Sequence, residues 1–263
     1  MNSSIASPDT KKSTGSLRKK VNKPINQIAQ RILLICGILS SAYYVAMNIF
    51  IPMKYPGYST FSQTVSELSA IGTPTRQLWV SLMIVYTVLV IAFGWGVWLS
   101  VNKYNRLRVV AVVMIINVII GLFWPPMHQR EVLAAGEGTL TDILHIVWTA
   151  ITIPLMFLAI GLGAAAFGKG FRIYSIVTIV AILLFGVLTG LASSRMELNL
   201  STPFMGVWER ICIGAYMLWV MMLAIILLLS KRQRGSIKSK ILNEVCKSKP
   251  KFVLETDLHR LFI

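Results

Sequence analysis

Six apolar stretches, each long enough to cross a lipid bilayer, constrain the fold of this chain more than any other feature. They run approximately over residues 31–52, 77–100, 107–125, 142–166, 172–193 and 207–229. About 20 residues of helix span a hydrocarbon core of about 30 Å. Lipid offers no partner to free backbone N–H and C=O groups, and no stretch shows the alternating polarity of a barrel strand. The sequence therefore predicts an all-α, polytopic bundle of six transmembrane helices.

The composition and the polar ends divide the chain into three parts. Charged residues make up only 14% of the chain and the mean hydropathy is +0.68. An average soluble domain has about 25% charged residues. We predict a basic, disordered tail over residues 1–30, a six-helix membrane domain over 31–230 and a second basic tail over 231–263.

The basic residues predict the orientation of the bundle. All but five of the 26 lysines and arginines lie in the tails and in the turns on one side. The five exceptions are Lys54, Arg76, Arg130, Arg195 and Arg210. By the positive-inside rule, the richer side is cytoplasmic. We therefore expect a multi-pass protein of the cell membrane with both termini in the cytoplasm.

The partners expected from this charge are lipids. Basic residues near a membrane surface attract anionic lipids by about 1 kcal/mol each, so the two cytoplasmic tails are predicted to contact anionic lipids. No basic motif interleaved with aromatic residues is present, and the net charge of +16 therefore does not indicate a nucleic-acid partner. The sequence leaves the oligomeric state open.

The first outer loop carries a helical pattern of its own. Apolar residues recur at helical spacing at Phe61, Val65, Leu68 and Ile71. Gly72 follows at the position where a left-handed residue often ends a helix. We predict a short amphipathic helix over about 60–71, lying at the outer interface or over the mouth of the bundle.

The predicted outer side concentrates the titratable side chains. Six of the ten acidic residues and two of the three histidines belong to it. A charge at the centre of a membrane helix costs at least ~2.5–3.5 kcal/mol, so we expect these groups to turn inward and to form one outward-facing polar cluster beneath the amphipathic helix. The candidate site residues are Ser66, Glu67, Ser69, His128, Asp142, His145, Arg195, Glu209 and Arg210.

Asp142 and His145 are the most informative pair in this set. They lie three positions apart at the start of the fourth apolar stretch, on one helical face. A carboxylate in the first turn also complements the helix dipole, so Asp142 has a structural explanation. Capping does not explain a histidine one turn further into the membrane.

Three function classes remain open. Ser66 or Ser69 with His145 and Asp142 supplies the residue types of a serine hydrolase, and His128, His145, Asp142 and Glu67 supply those of a metal hydrolase. The chain has neither a G-x-S-x-G elbow nor an H-E-x-x-H motif. A solute or proton-coupled transporter would be expected to show an acidic residue at mid-span or an inverted repeat, and neither is evident. The sequence favours a non-catalytic protein, without metal or cofactor, whose outer cluster holds the helices together or binds a lipid headgroup or small solute.

Several motifs together resemble a membrane family called domain of unknown function 998, found in bacteria and archaea. They are YPGYSTFSQTVSELSAIGTPTR (55–76), LFWPPMH (122–128), TDILHIVW (141–148) and GVWERI (206–211). The similarity covers roughly residues 30–230 and implies six membrane helices, but no established activity. The recurring polar positions of the family would correspond to Ser66, His128, Asp142, His145 and Arg210. Membrane hydrolases with seven spans and an H-x-x-x-H pair are a weaker comparison, because this chain has neither feature.

Overall fold

The computed structural model describes the backbone of residues 9–100, 106–198 and 200–247, and side chains only between residues 27 and 230. Within those ranges the fold is all-α. Its helices are α1 (Asp9–Phe50), α2 (Arg76–Leu99), α3 (Arg106–Leu122), α4 (Arg130–Ala134), α5 (Leu140–Ala164), α6 (Lys169–Glu197) and α7 (Met205–Lys247). Two single 3₁₀ turns, Pro52–Lys54 and Ser66–Ser69, interrupt the connection between α1 and α2.

Five of these helices contain segments that are long and apolar enough to cross a membrane. The segments are Gln27–Lys54, Arg76–Leu99, Leu140–Ala164, Lys169–Met196 and Met205–Ser230. The protein is therefore a multi-pass membrane protein. The sixth predicted span corresponds to α3, which has 17 residues and is too short to count by length alone.

The chain divides into two compact units, Met1–Leu227 and Leu228–Ile263. In the first unit, α1 packs on α2, α2 on α3, α3 on α5 and α5 on α6. Its core includes the fully buried side chains of Phe93, Ile160 and Trp219. The Trp219 ring fits against Gly163, where an added Cβ would lie 2.5 Å from a ring carbon. In the second unit, the described backbone is helical as far as Lys247.

The amino-terminal part of α1 differs from the predicted disorder. Its helical backbone begins at Asp9, within the tail that the sequence predicts to be disordered over residues 1–30. Once a helix exists, each added residue gains one backbone hydrogen bond, so the spanning segment can extend a helix into a polar sequence. Residues 1–8 and 248–263 lie outside the described residues, and so do the tail side chains predicted to contact anionic lipid.

The prediction of an amphipathic helix over 60–71 is wrong, because the structure has no α-helix in this segment. The segment forms turns and one 3₁₀ turn, Ser66–Ser69, although Gly72 does have the expected left-handed backbone, with φ of +85°. Its backbone groups have tertiary partners in place of helical ones. Glu209 accepts from the Val65 amide, and Arg210 donates to the Thr60 carbonyl. Polar contacts from another helix therefore replace the hydrogen bonds that an α-helix would have made.

Candidate functional site

A buried ion pair joins the first outer loop to the loop that follows α3. Arg130 Nε lies 2.8 Å from Glu67 Oε2, and Arg130 Nη2 lies 2.7 Å from Glu67 Oε1. Glu67 is only 2% exposed, and its Oε1 also accepts from the Thr64 amide at 2.9 Å. The hydrogen bonds to this carboxylate raise the pKa of the Arg130 guanidinium. This two-point geometry fixes the direction of both side chains.

Arg130 also reaches a third segment. Its Nη2 donates to the Ser62 carbonyl at 2.9 Å, and its Nη1 donates to Thr202 Oγ1 at 3.3 Å. Thr202 Oγ1 in turn donates to the Ser62 carbonyl at 3.2 Å. One guanidinium therefore ties together the segments before α2, before α5 and before α7.

The first turns of α7 hold the same loop from another direction. Glu209 accepts from the Val65 amide, and Ser66 Oγ lies 3.4 Å from Glu209 Oε1. Arg210 donates to Tyr58 Oη at 2.7 Å and to the Gln63 carbonyl at 3.0 Å. Burial raises the pKa of the Tyr58 hydroxyl, which keeps it protonated as a donor.

Gly206 brings the backbone of α7 against the backbone of this loop. Its amide donates to the Phe61 carbonyl at 2.9 Å. An added Cβ at Gly206 would lie 2.2 Å from the Gln63 carbonyl oxygen and 2.6 Å from that of Thr60. These are backbone atoms, so only glycine allows the loop to lie this close to the helix.

Asp142 pairs with His128 rather than with His145. His128 Nδ1 lies 2.8 Å from Asp142 Oδ2, and the His128 amide donates to Oδ1 at 2.7 Å. Asp142 also forms a capping box with Thr139 at the start of α5, accepting from its amide at 2.8 Å. The carboxylate therefore both caps α5 and orients the imidazole of His128.

His145 has separate partners one turn deeper in α5. It is 9% exposed, and its Nδ1 lies 2.8 Å from the Pro125 carbonyl oxygen and 2.8 Å from Trp124 Nε1. With its proton on Nδ1 it donates to Pro125, and with its proton on Nε2 it accepts from Trp124. Below it, Thr149 donates to the His145 carbonyl at 2.9 Å. His145 thus fastens α5 to the end of α3.

The group around Glu67, Arg130, Glu209 and Arg210 and the group around Asp142 and His128 together form what we call the outer layer, and the two groups meet through backbone contacts. The Ile71 amide donates to the Met127 carbonyl at 2.8 Å, and Ile71 pairs with His128 in an isolated parallel bridge. His128 and Arg130 lie two positions apart on this segment, the first bound to Asp142 and the second to Glu67. The predicted single cluster is therefore two neighbouring groups on one connected scaffold.

Arg195 and Ser69 stand apart from both groups. Arg195 Nε donates to the Ser201 carbonyl at 3.2 Å and lines a cavity of about 240 Å³ near the end of α6. Ser69 Oγ donates to the Ser66 carbonyl at 3.0 Å, and the Ser69 carbonyl accepts from Arg76 at 2.8 Å. Both Ser69 contacts stabilise the 3₁₀ turn.

The geometry does not assemble the constellation that a serine hydrolase needs. Asp142 orients His128, Ser66 bonds with Glu209, and His145 bonds with Pro125 and Trp124. Among the described residues, no group of three or more His, Cys, Asp or Glu side chains is placed to hold a metal ion. The polar groups instead bind one another and the backbone of the outer loops.

Sequence reasoning did not select four residues on which this layer depends: Tyr58, Arg130, Thr139 and Gly206. The need of a buried carboxylate such as Glu67 for a cation could have indicated Arg130, since few basic residues lie on that side. Thr139 three positions before Asp142 is the spacing of a capping box. No local pattern marks Tyr58 or Gly206, because each is defined by contacts with a distant segment.

The family model described as "Protein of unknown function (DUF998)" matches residues 38–226. The chain belongs to this family. All nine candidate residues lie inside the segment that matches the DUF998 model. No curated protein and no solved structure matches this DUF998 chain.

Proposed function

We propose that this protein crosses the cell membrane six times, keeps both termini in the cytoplasm, and binds a lipid headgroup or small solute at its outward-facing layer without catalysing a reaction. The observation that carries the proposal is the Arg130 guanidinium, which joins its own loop to groups from two others, Glu67 and Ser62 in the first outer loop and Thr202 before α7. It supports a fixed outer layer built from all three connections.

The same contacts support six crossings. α2 begins at Arg76 and α3 ends at Leu122, and the adjoining segments meet where the Ile71 amide binds the Met127 carbonyl. A chain that leaves this side along α2 must therefore return to it along α3. The 17 residues of α3 rise about 25 Å, close to the hydrocarbon thickness, and a small mismatch is accommodated by local thinning of the bilayer.

Binding is favoured over catalysis because the candidate acids and bases have structural partners. Glu67, Asp142 and Glu209 each accept hydrogen bonds from backbone amides of the outer loops. A carboxylate that holds a loop in place contributes to the shape of a binding surface. The general base of a hydrolase would instead need to lie within reach of a nucleophile.

Labelling of single cysteines tests the six crossings. We expect a membrane-impermeant maleimide to label cysteines at Met53, Glu137 and Phe204 in intact cells, in a background without the native cysteines. A cysteine at Lys169 should react only after permeabilisation. The side chains at all four positions are exposed. Labelling of position 137 from the side opposite to position 53 would contradict the sixth crossing.

Thermal unfolding of the purified protein in detergent tests the binding function. The compounds to be added are phospholipids, glycerol phosphate, phosphocholine, amino acids and sugars, which together form the panel of candidate ligands. A ligand that binds only the folded state stabilises it by about 2.7 kcal/mol at 100 times its Kd, so at least one compound should raise Tm saturably. A bulky label at position 204 should weaken this effect, and one at position 169 should not. Absence of any stabilising compound, or turnover of an ester substrate, would contradict the proposal.

A further inference from the structure

An apolar cavity opens where α6 ends and the chain turns toward α7. Its volume is about 240 Å³. Its walls include Leu188, Leu191 and Ala192 from α6 and Pro203 from the following turn. Such walls offer no hydrogen bonds, so they suit a hydrocarbon group better than a hydrated solute.

The cavity lining also includes residues whose side chains carry hydrogen-bond donors. Three of them, Arg195, Ser201 and Trp208, are here termed the rim. The hydrogen bond of Arg195 to a described residue goes to a backbone carbonyl, that of Ser201, at 3.2 Å. No acidic residue is among the described residues that line the cavity. The rim is therefore complementary to an anion.

We propose that this cavity binds an anionic phospholipid of the outer leaflet, with its phosphate at Arg195 and an acyl chain against Leu188 and Leu191. The inference rests on the proposed function and names its ligand. A guanidinium binds two phosphate oxygens in parallel, and a tryptophan such as Trp208 is typical of the membrane interface. A free phosphate would leave the apolar walls exposed to water, so the lipid accounts for both halves of the site.

The scaffold described above holds the rim in place. The Leu200 amide donates to the Arg195 carbonyl at 2.8 Å. Thr202, next along the chain to Ser201, binds both Arg130 and the Ser62 carbonyl. A rim that is ordered before the lipid arrives loses less conformational entropy on binding. The outer layer therefore holds the rim in position, and the cavity with its rim forms the binding site.

Lipid titration of the full-length protein in detergent micelles, followed by native mass spectrometry, tests this assignment. Phosphatidylglycerol should bind with a Kd about tenfold or more below that of phosphatidylcholine, and glycerol phosphate should not compete with it. Arg195→Gln should raise the Kd for phosphatidylglycerol about tenfold, and Arg195→Lys should raise it less. Leu188→Trp, which fills the cavity and keeps Arg195, should weaken binding about as much as Arg195→Gln.

Lys54→Gln is the matched control, because it removes one positive charge from the same side without altering the cavity lining. Its Kd should stay within about twofold of the unaltered protein, since exposed charges contribute little. Equal affinity for the two phospholipids, competition by glycerol phosphate, or an equal effect of Lys54→Gln would overturn the assignment. If Arg195→Gln does not fold, Leu188→Trp decides the question. Stabilisation by a panel compound that is unaffected by Arg195→Gln would leave the proposed function standing and remove this inference.

Discussion

Arg130→Met is expected to lower the free energy of unfolding by about 3–5 kcal/mol, because it leaves a buried carboxylate without its counter-charge. Glu67 is 2% exposed and receives both of its charged contacts from Arg130. The substitution also removes the donors to Ser62 and Thr202. Denaturant titration of the protein in detergent micelles measures the loss. Methionine keeps much of the apolar stem, so the effect reports mainly on the guanidinium.

Two further variants separate the ion pair from a general loss of packing. Arg76→Met removes the arginine at the start of α2, which donates to one backbone carbonyl, that of Ser69, and should cost only about 1 kcal/mol. Glu67→Gln combined with Arg130→Met should cost less than the two single variants added together, by about 0.5–3 kcal/mol. Additive losses would show that the charges of Glu67 and Arg130 are not coupled and that the ion pair does not stabilise the fold.

The membrane character and the helical class of the protein could be predicted from hydrophobicity, because that signal is local. Apolar stretches of about 20 residues require helices wherever backbone groups have no water to bind. The helices α6 and α7 accordingly cover the predicted stretches 172–193 and 207–229, and α2 and α5 end one and two residues before the ends of theirs. α3 shows the limit of this reasoning, since the apolar stretch predicted a helix to residue 125 whereas α3 ends at Leu122.

The first outer loop could not be predicted in the same way. Its apolar spacing is helical, but the carbonyls of Thr60 and Gln63 bind Arg210, and the Val65 amide binds Glu209. These partners lie about 145 positions away in the sequence. A periodic pattern reports which face of a segment is apolar and carries no information about such distant hydrogen bonds.

The candidate residues could be selected from the cost of placing polar groups in lipid, but their hydrogen-bond partners could not be predicted in this way. His145 is 9% exposed and contacts Pro125 and Trp124. Helical spacing placed it on the same face as Asp142, yet the carboxylate turns to His128, in the loop before α5. Side chains on one helical face point in the same direction, but this does not make them hydrogen-bond partners. The loop that packs against the face determines which contacts form.

Gly206→Ala is expected to lower the free energy of unfolding by about 3 kcal/mol or more, because its Cβ would overlap backbone atoms that cannot move independently. The added carbon would lie 2.2 Å from the Gln63 carbonyl oxygen and 2.6 Å from that of Thr60. Relief of the overlap would push the loop away from α7 and weaken the bonds from Arg210 to the same two carbonyls, each worth about 1.5–3 kcal/mol.

Gly214→Ala, two turns further along α7, is the matched control. An added Cβ at Gly214 has no atom within 4 Å, so this variant should retain the stability of the unaltered protein. Both substitutions add one methyl group to the same helix, and denaturant titration in micelles compares them directly. An equal stability of the two variants would mean that the loop adjusts freely to α7. The free energies of unfolding of the two variants are expected to differ by about 3 kcal/mol if the hydrogen bonds of Arg210 and the close contact at Gly206 hold the loop against α7.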